Sequence, residues 1–238
     1  FGPYKTQEYY NNIHNMLSNV EDVCFRDKYS YNLFKDLPNV RQAADIVFSM
    51  DMSNIKNTNR KRAIISIISP KDKINKKYKK QYEEKMLELI SFLIVKGYEI
   101  CLMSFCKIEH DEEEIEEIYS KIPEKQRKNV EKYYYDGNVK EALNTIADSQ
   151  LVVGGRFHAN IIGLCLGKSI LPVLYSDKTL HVLQDMQIDT PIIDIRNLES
   201  FDIKSITDDD LTRHYDVEKQ KEDAQRHFEK LDLQLKKT

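Results

Sequence analysis

The 238-residue sequence contains few of the residues that mark repetitive, disulfide-linked or membrane-spanning chains. With 7 glycines and 6 prolines, it lacks the composition of collagen-like and low-complexity proteins. The four cysteines form no CxxC pair and no Cys/His cluster with zinc spacing, which predicts buried, reduced thiols in a cytosolic protein. The longest apolar run, residues 86–95, includes Glu88 and is shorter than the roughly 20 residues that cross a bilayer.

The charged residues show no large excess of one sign. Because 36 basic and 39 acidic side chains leave a net charge of -3, the positive charge that holds nucleic-acid phosphates is lacking, and no nucleic-acid partner is expected. The histidines form no set with metal-ligand spacing, so neither a metal nor a cofactor is predicted. A cytoplasmic location is expected, and peripheral association with the inner face of a membrane through the basic residues 71–80 stays open.

Short apolar strands alternate with amphipathic helices through residues 62–200. Strands are predicted at residues 63–68, 98–104, 130–135, 151–153, 170–174 and 191–195. Helices are predicted at residues 77–96, 111–119, 142–147, 157–166 and 179–186, with Asp111 and Asn138 as N-caps of the second and third. This alternation predicts a parallel sheet covered on both faces, which is a complete Rossmann-like domain of an α/β protein.

The segments on either side of this domain are smaller. Residues 1–52 read as helix, strand, helix and strand, the last at 43–48, and predict the C-terminal remnant of an N-terminal Rossmann-like domain. The chain begins with Phe1, so its natural N-terminus is expected further upstream. The polar residues 53–61 are predicted to be a linker, and residues 201–238 a C-terminal tail that is one long helix from about Asp208.

The segment most suggestive of chemistry is Gly-Gly-Arg-Phe-His-Ala at residues 154–159. It follows a predicted strand and opens a helix, where open parallel sheets bind ligands. Glycines allow a close backbone approach and the helix start favours an anion. Arg156 can bind a phosphate or carboxylate, and His158 can exchange a proton. From spacing alone, an equal alternative is a simple chain turn with Arg156 on a surface carboxylate.

Three stretches in order resemble the polysaccharide pyruvyl transferase family. Gly-x-Arg-x-His-Ala at 154–159, followed by an apolar helix and a strand, is similar to the family signature. Phe-Gly-Pro-Tyr at 1–4 resembles an N-terminal-domain segment, and Arg-Asp-x-x-Ser at 26–30 with Ala-Asp-Ile-Val-Phe at 44–48 resembles the helix start and strand that follow. The resemblance implies a two-domain, glycosyltransferase-B-like fold with the active site between domains. It also implies phosphoenolpyruvate as the donor substrate and a pyruvate ketal on a sugar as product.

The implied donor assigns roles to particular residues. Phosphoenolpyruvate carries a phosphate and a carboxylate, so Arg156 is the first candidate cation and Arg26 the second, unless Arg26 merely pairs with Asp27 or another neighbour. His158 is the candidate catalytic acid or base. The other predicted substrate-binding residues also follow the carboxyl ends of strands: Gly154, Gly155, Phe157 and Lys178. For Lys178 the alternative is a lysine that is simply solvated.

Two other functions compete with pyruvyl transfer. One is a nucleotide-sugar-dependent glycosyltransferase of the B fold in polysaccharide synthesis, and the other is a non-catalytic scaffold. The expected acceptor is a glycan of an exopolysaccharide or capsule. The sequence leaves three points open: whether that glycan is lipid-linked, which hydroxyls are bridged and how many copies of the chain assemble.

Overall fold

The computed structural model describes residues 4–70 and 77–236, and the chain forms two compact units. The smaller unit comprises the described residues of 1–50, 180–188 and 216–238, and the larger one those of 51–179 and 189–215. Among the described residues, no helix has both the length and the apolar composition needed to cross a membrane. Most of the basic segment 71–80 lies outside the described residues. The domain boundaries predicted at residues 52, 61 and 200 stay predictions.

The larger unit is built on a parallel sheet of six strands, within the part of the chain that the structure describes. The strand order across the sheet is β5-β4-β3-β6-β7-β8, and every neighbouring pair is parallel. The strands are β3 (Arg62–Ser66), β4 (Glu99–Met103), β5 (Val130–Tyr133), β6 (Leu151–Gly154), β7 (Ser169–Leu174) and β8 (Ile193–Asp194). Counted from β3, this is the 3-2-1-4-5-6 order of a Rossmann domain, so the predicted parallel α/β architecture is confirmed.

The order of the strands fixes where a ligand site can form. The chain runs from β3 outward to β5 and then returns to the other side of β3, where β6 pairs with it and Ser66 lies opposite Gly154. The direction of strand addition therefore changes between β3 and β6. At such a point the connections leave the sheet on opposite sides, which opens a crevice at the carboxyl ends of the two strands.

Helices follow most strands of the larger unit. They are α3 (Lys77–Val95), α4 (Asp111–Lys121), α5 (Glu124–Arg127), α6 (Val139–Ala147), α7 (Phe157–Cys165) and α8 (Asp177–Asp185), whose second half belongs to the smaller unit. The predicted apolar stripe of α3 is confirmed, because Tyr82, Met86, Leu89 and Leu93 are all buried in the core of this unit. Burial of each such side chain contributes roughly 1.5–3 kcal/mol, which offsets the entropy lost on folding.

The smaller unit contains a parallel pair of strands, β1 (Val23–Phe25) and β2 (Val40–Gln42). Its helices are α1 (Gln7–Ser18), α2 (Lys28–Phe34), α9 (Glu218–Ala224) and α10 (Glu229–Leu235). Leu17, Phe34 and Leu37 form its buried centre. The Asp27 carboxylate accepts hydrogen bonds from the Ser30 backbone N–H at 2.7 Å and the Ser30 hydroxyl at 2.9 Å, and so fixes the start of α2.

Two secondary-structure predictions are wrong. Residues 43–48 do not form the last strand of the smaller unit, since β2 ends before them and residues 46–48 belong to a 3-10 turn, Ile46–Ser49. The Asp45 carboxylate accepts a hydrogen bond from the Val47 N–H at 3.0 Å, which stabilises the turn against an extended strand. The C-terminal tail is not one long helix from Asp208, because the chain becomes helical only at α9 and a 3-10 turn, Gln225–Phe228, separates α9 from α10.

Candidate active site

The Gly-Gly pair ends β6 at the point where the sheet changes direction. The Gly155 N–H donates to the Ser66 carbonyl at 3.1 Å. A Cβ at Gly155 would come within 2.3 Å of that carbonyl oxygen, and one at Gly154 within 2.2 Å of the Asn160 Oδ1. Both glycines are therefore required by the close packing of β3, β6 and α7, with no ligand needed to explain them.

The loop after the glycines is fixed by two neighbours. The buried Asn160 amide donates to the Gly154 carbonyl at 2.9 Å and to the Arg156 carbonyl at 3.1 Å. The Arg156 N–H donates to the Ser66 hydroxyl at 3.3 Å. These bonds hold Arg156 at the carboxyl edge of the sheet, one residue before α7 begins.

The Arg156 guanidinium is bound by two carboxylates. Its Nε donates to Asp111 Oδ2 at 3.0 Å, its Nη2 donates to Asp111 Oδ1, and its Nη1 donates to Glu109 Oε2 at 2.5 Å. Burial acts to lower the pKa of Arg156, but the hydrogen bonds to Asp111 and Glu109 outweigh it and raise this pKa above its ordinary value. The arginine is thus a permanently charged group.

Asp111 has a different role from the one that its sequence position predicts. The N-cap of α4 is His110, at a φ of 63°, and Asp111 is the first residue of the helix. Its fully buried carboxylate also accepts from the backbone N–H groups of Cys106 at 3.0 Å, Phe105 at 3.3 Å and Ser69 at 3.4 Å. Asp111 therefore holds Arg156 in place instead of capping its own helix.

His158 lies in the first turn of α7, two residues after Arg156. Its side chain is exposed, and its ring centroid lies 5.1 Å from that of Phe157 in a T-shaped arrangement. The predicted cation, the predicted proton-transfer group and the adjacent ring therefore lie on consecutive residues at one edge of the sheet.

The strand beyond, β7, brings one further residue to this edge. Burial raises the pKa of the Tyr175 hydroxyl. The positive charge of Arg156 opposes this rise, and the negative charges of Glu109 and Asp111 add to it. The half-buried Tyr175 ring therefore lies in the field of the same charges. Lys178 is exposed on the first turn of α8. Within the described residues it forms no hydrogen bond or ion pair.

Arg26, the second predicted cation, lies in the smaller unit directly after β1. Its Nη1 donates to the buried Asp45 Oδ2 at 2.8 Å, so Arg26 forms an ion pair with Asp45. The two stretches around Arg26 and Asp45 that the sequence singles out are therefore joined by an ion pair.

A cavity of about 540 Å³ opens beside this pair, entirely within the smaller unit. Its volume lies within the roughly 300–1,000 Å³ of small-ligand sites. Side chains of both signs and amides line it, among them Arg26, Gln42, Asp45, Asp185, Lys219 and Arg226. Such a lining suits a ligand with several hydrogen-bonding groups.

The Arg156–His158 segment can be predicted from the sequence, which explains Asp111 by an N-cap role and gives no indication of Glu109. Both follow β4, which lies next to β3 in the sheet. Carboxylates after the carboxyl end of a neighbouring strand are the signal that could have placed them beside Arg156.

Known proteins of the same fold cover this chain almost completely at low sequence identity. TarM matches with a TM-score of 0.56 and 13% identity over 99% of this chain and 46% of its own. A UDP-forming α,α-trehalose-phosphate synthase from Burkholderia xenovorans matches with a TM-score of 0.53 and 8% identity over 94% of this chain and 61% of its own. The apo structure of OtsA matches with a TM-score of 0.51 and 11% identity over 97% of this chain and 62% of its own.

These matches confirm the glycosyltransferase-B-like α/β fold, and the chain spans between 46% and 62% of the length of the three structures. Comparison with curated proteins gives no match. The model of one protein family, polysaccharide pyruvyl transferase, matches residues 1–177, which include the Arg26–Asp45 pair and the whole segment from Glu109 to His158. The chain belongs to the polysaccharide pyruvyl transferase family.

Proposed function

We propose that this protein transfers pyruvate from phosphoenolpyruvate to a sugar of a cell-surface polysaccharide and forms a pyruvate ketal. The observation that carries the proposal is that a largely buried, permanently charged Arg156 and an exposed His158 lie two residues apart at the switch point of the sheet. Membership of the family supplies the reaction class. The donor is an anion, and the site offers a cation beside a group that can move a proton.

The proposed reaction starts with the donor anion at Arg156. A proton adds to the methylene carbon of phosphoenolpyruvate, and the central carbon becomes electrophilic. A sugar hydroxyl attacks this carbon, forms a C–O bond and loses its proton, after which the C–O bond to phosphate breaks and inorganic phosphate leaves. A second hydroxyl of the same sugar then attacks, loses its proton and closes the ketal.

His158 is the residue that we assign to proton transfer, either as the acid toward the methylene carbon or as the base toward a hydroxyl. Arg156 would stabilise the negative charge that develops on the departing phosphate. Gly154, Gly155 and Phe157 would shape the donor site, and no cofactor or metal takes part in the proposed steps.

Arg26 and Lys178 are proposed as further contacts to the substrates. For Arg26 the support is the neighbouring cavity, whose amides and charges suit a polyhydroxylated acceptor. For Lys178 the support is its exposed position after β7, at the carboxyl edge of the sheet. A cytoplasmic location and a lipid-linked form of the acceptor belong to the same proposal, and the reduced cysteines agree with the first.

The test is an incubation of the full-length protein with phosphoenolpyruvate and a panel of glycans. Phosphate release and a pyruvyl mass increment on the glycan should appear together. Arg156→Ala and His158→Ala should each lose about 100-fold or more in kcat/KM, as expected when an electrostatic or proton-transfer group is removed.

The matched control is His14→Ala, a histidine of the smaller unit that pairs with Asp36. This variant should retain the wild-type rate. Tight binding of a sugar nucleotide, with no phosphate release from phosphoenolpyruvate on any glycan, would instead identify a nucleotide-sugar-dependent glycosyltransferase.

A further inference from the structure

We infer that the Glu109 carboxylate competes with the substrate anion for Arg156. Glu109 leaves the guanidinium when a phosphate or carboxylate binds. Asp111, in contrast, is a positioning residue that stays bound throughout. The inference rests on the proposed function only in taking phosphoenolpyruvate as the natural anion. Its physical content, an exchange of one carboxylate for another anion, applies to any ligand of that charge.

The two carboxylates on Arg156 differ in how firmly they are held. The Asp111 side chain is 0% exposed, and three backbone N–H groups donate to it besides the guanidinium. The Glu109 side chain is 45% exposed and accepts a hydrogen bond from the Arg156 Nη1 at 2.5 Å. Removal of Asp111 would leave buried donors unsatisfied, whereas Glu109 can return to water.

The charges around Arg156 favour such an exchange. One guanidinium faces two carboxylates, so the group of three carries a net negative charge before any substrate arrives. A further anion at Arg156 would meet repulsion from Glu109 in a partly buried site, where charges are weakly screened. With Glu109 displaced, the neutral Arg156–Asp111 pair can accept the anion on the N–H that Glu109 leaves.

The segment that carries Glu109 is suited to this movement. Glu109 ends a short 3-10 turn, Lys107–Glu109, and is followed by His110 at a positive φ of 63°. Its neighbour Ile108 is 91% exposed, so no buried apolar side chain anchors the middle of the turn. A shift of Glu109 therefore does not require the core of the larger unit to repack.

The competition would lower the affinity of the site for every anion by the same factor, so that only ligands with further contacts bind well. A ligand with a single weak anionic contact gains little by displacing Glu109, whereas a ligand with two anionic groups and an extended contact surface recovers the cost elsewhere. Glu109 would thus lower the affinity of the free site for inorganic phosphate, which is also the product of the proposed reaction.

Calorimetric titration of the full chain with inorganic phosphate and with phosphoenolpyruvate tests the exchange. Glu109→Gln keeps the size of the side chain and removes its charge, so both anions should bind about tenfold more tightly than to wild type. Inhibition of turnover by phosphate should strengthen in the same proportion. A purely structural role for Glu109 would weaken binding, so the direction of the change decides between the two.

The matched control is Glu113→Gln, which makes the same charge change four residues later at an exposed side chain paired with His110. It should stay within about twofold of wild type for both anions. Asp111→Asn should lose anion binding, because the position of Arg156 depends on both oxygens of Asp111.

The outcomes separate this inference from the proposed function. Equal affinities of Glu109→Gln, Glu113→Gln and wild type for both anions would overturn the inference even if pyruvyl transfer is observed. Tighter phosphate binding by Glu109→Gln alone would uphold it even if no glycan is pyruvylated, in which case only the proposed function fails.

Discussion

At the scale of single residues, the site depends on the absence of a side chain at Gly154 and Gly155. Gly155 has no Cβ, and this allows its backbone to meet the Ser66 carbonyl where β3 and β6 end. The contact is with backbone and not with the flexible end of a side chain, so it cannot relax without moving a strand. Arg156 is the next residue, so the same contact also fixes the position of its backbone.

Gly155→Ala is expected to destabilise the protein by about 3 kcal/mol, the upper range for overpacking, because its Cβ would lie 2.3 Å from a backbone oxygen. The comparison is Gly167→Ala, a glycine at a φ of 67° with open space around the new Cβ. That change costs only the backbone strain, about 1 kcal/mol. Urea unfolding of the two variants measures the difference, and equal losses would contradict the close-packing argument.

At the scale of elements, α3 and α4 are joined by a cluster of charged side chains. The carboxylates of Glu83, Glu114 and Glu117 lie within 4.8 Å of one another. Lys79 pairs with Glu117 at 2.6 Å and with Glu114 at 3.6 Å, and Lys121 pairs with Glu83. Burial raises the pKa of Glu114 to about 7, although Lys79 opposes the rise.

Glu114 should make stability depend on pH. Its pKa in the folded state lies above the ordinary 4.5, so the folded protein keeps a proton that the unfolded chain releases between pH 4.5 and about 7. The free energy of unfolding therefore falls as pH rises through this window. In the Glu114→Gln variant this side chain cannot ionise. The free energy of unfolding of the variant relative to wild type should therefore rise by up to about 3 kcal/mol as the pH increases through this window.

Unfolding free energies measured at intervals from pH 4 to pH 8 test this expectation. Glu124→Gln, at an exposed position of α5, is the control and should follow the wild-type curve. Parallel curves for wild type and Glu114→Gln would show that Glu114 ionises alike in both states.

Elements whose signals are local could be predicted from the sequence. The apolar stripe of α3 and the start of α6 are examples, since Asn138 accepts from the Glu141 N–H at 3.1 Å as its capping box predicts. Segments stabilised by distant contacts could not be predicted. The Tyr215 hydroxyl donates to the Asp189 carbonyl, and contacts of this kind replace the helix predicted over residues 208–217.

The candidate site divides in the same way. Arg156 and His158 lie in one short motif, so the sequence predicts them together. Asp111 lies 45 residues before Arg156. Because it stands at the start of an acidic helix, a role as an N-cap explains its presence in the sequence without any contact to Arg156. Only the pairing of β3 with both β4 and β6 reveals that Asp111 and Arg156 meet.

At the scale of the whole molecule, Asp111 links three connections of the larger unit. It binds the segment after β3 through Ser69, the segment after β4 through Cys106, and the segment after β6 through Arg156. The carboxyl edge of the sheet is thus held by one buried acid. Loss of this acid should loosen the edge as a whole.

Asp111→Ala is expected to lower the free energy of unfolding by about 3–5 kcal/mol, because it leaves a largely buried arginine without its main partner. The double variant Asp111→Ala/Arg156→Leu should recover part of this loss, since no uncompensated charge is left. A double-mutant cycle by urea unfolding measures the coupling. Additive losses would show that the pair is not the source of the stability.

The central position of β3 also bears on how the chain is made. β3 is synthesised well before β6, and all five of its residues, rich in isoleucine, are buried in the folded unit. Until residue 154 has left the ribosome, one edge of this strand has no pairing partner. An unpaired, apolar strand edge is a template for aggregation. From the synthesis of residue 67 until residue 154 has emerged, the nascent chain is therefore exposed to aggregation through this edge, and a chaperone that binds apolar strands would protect it.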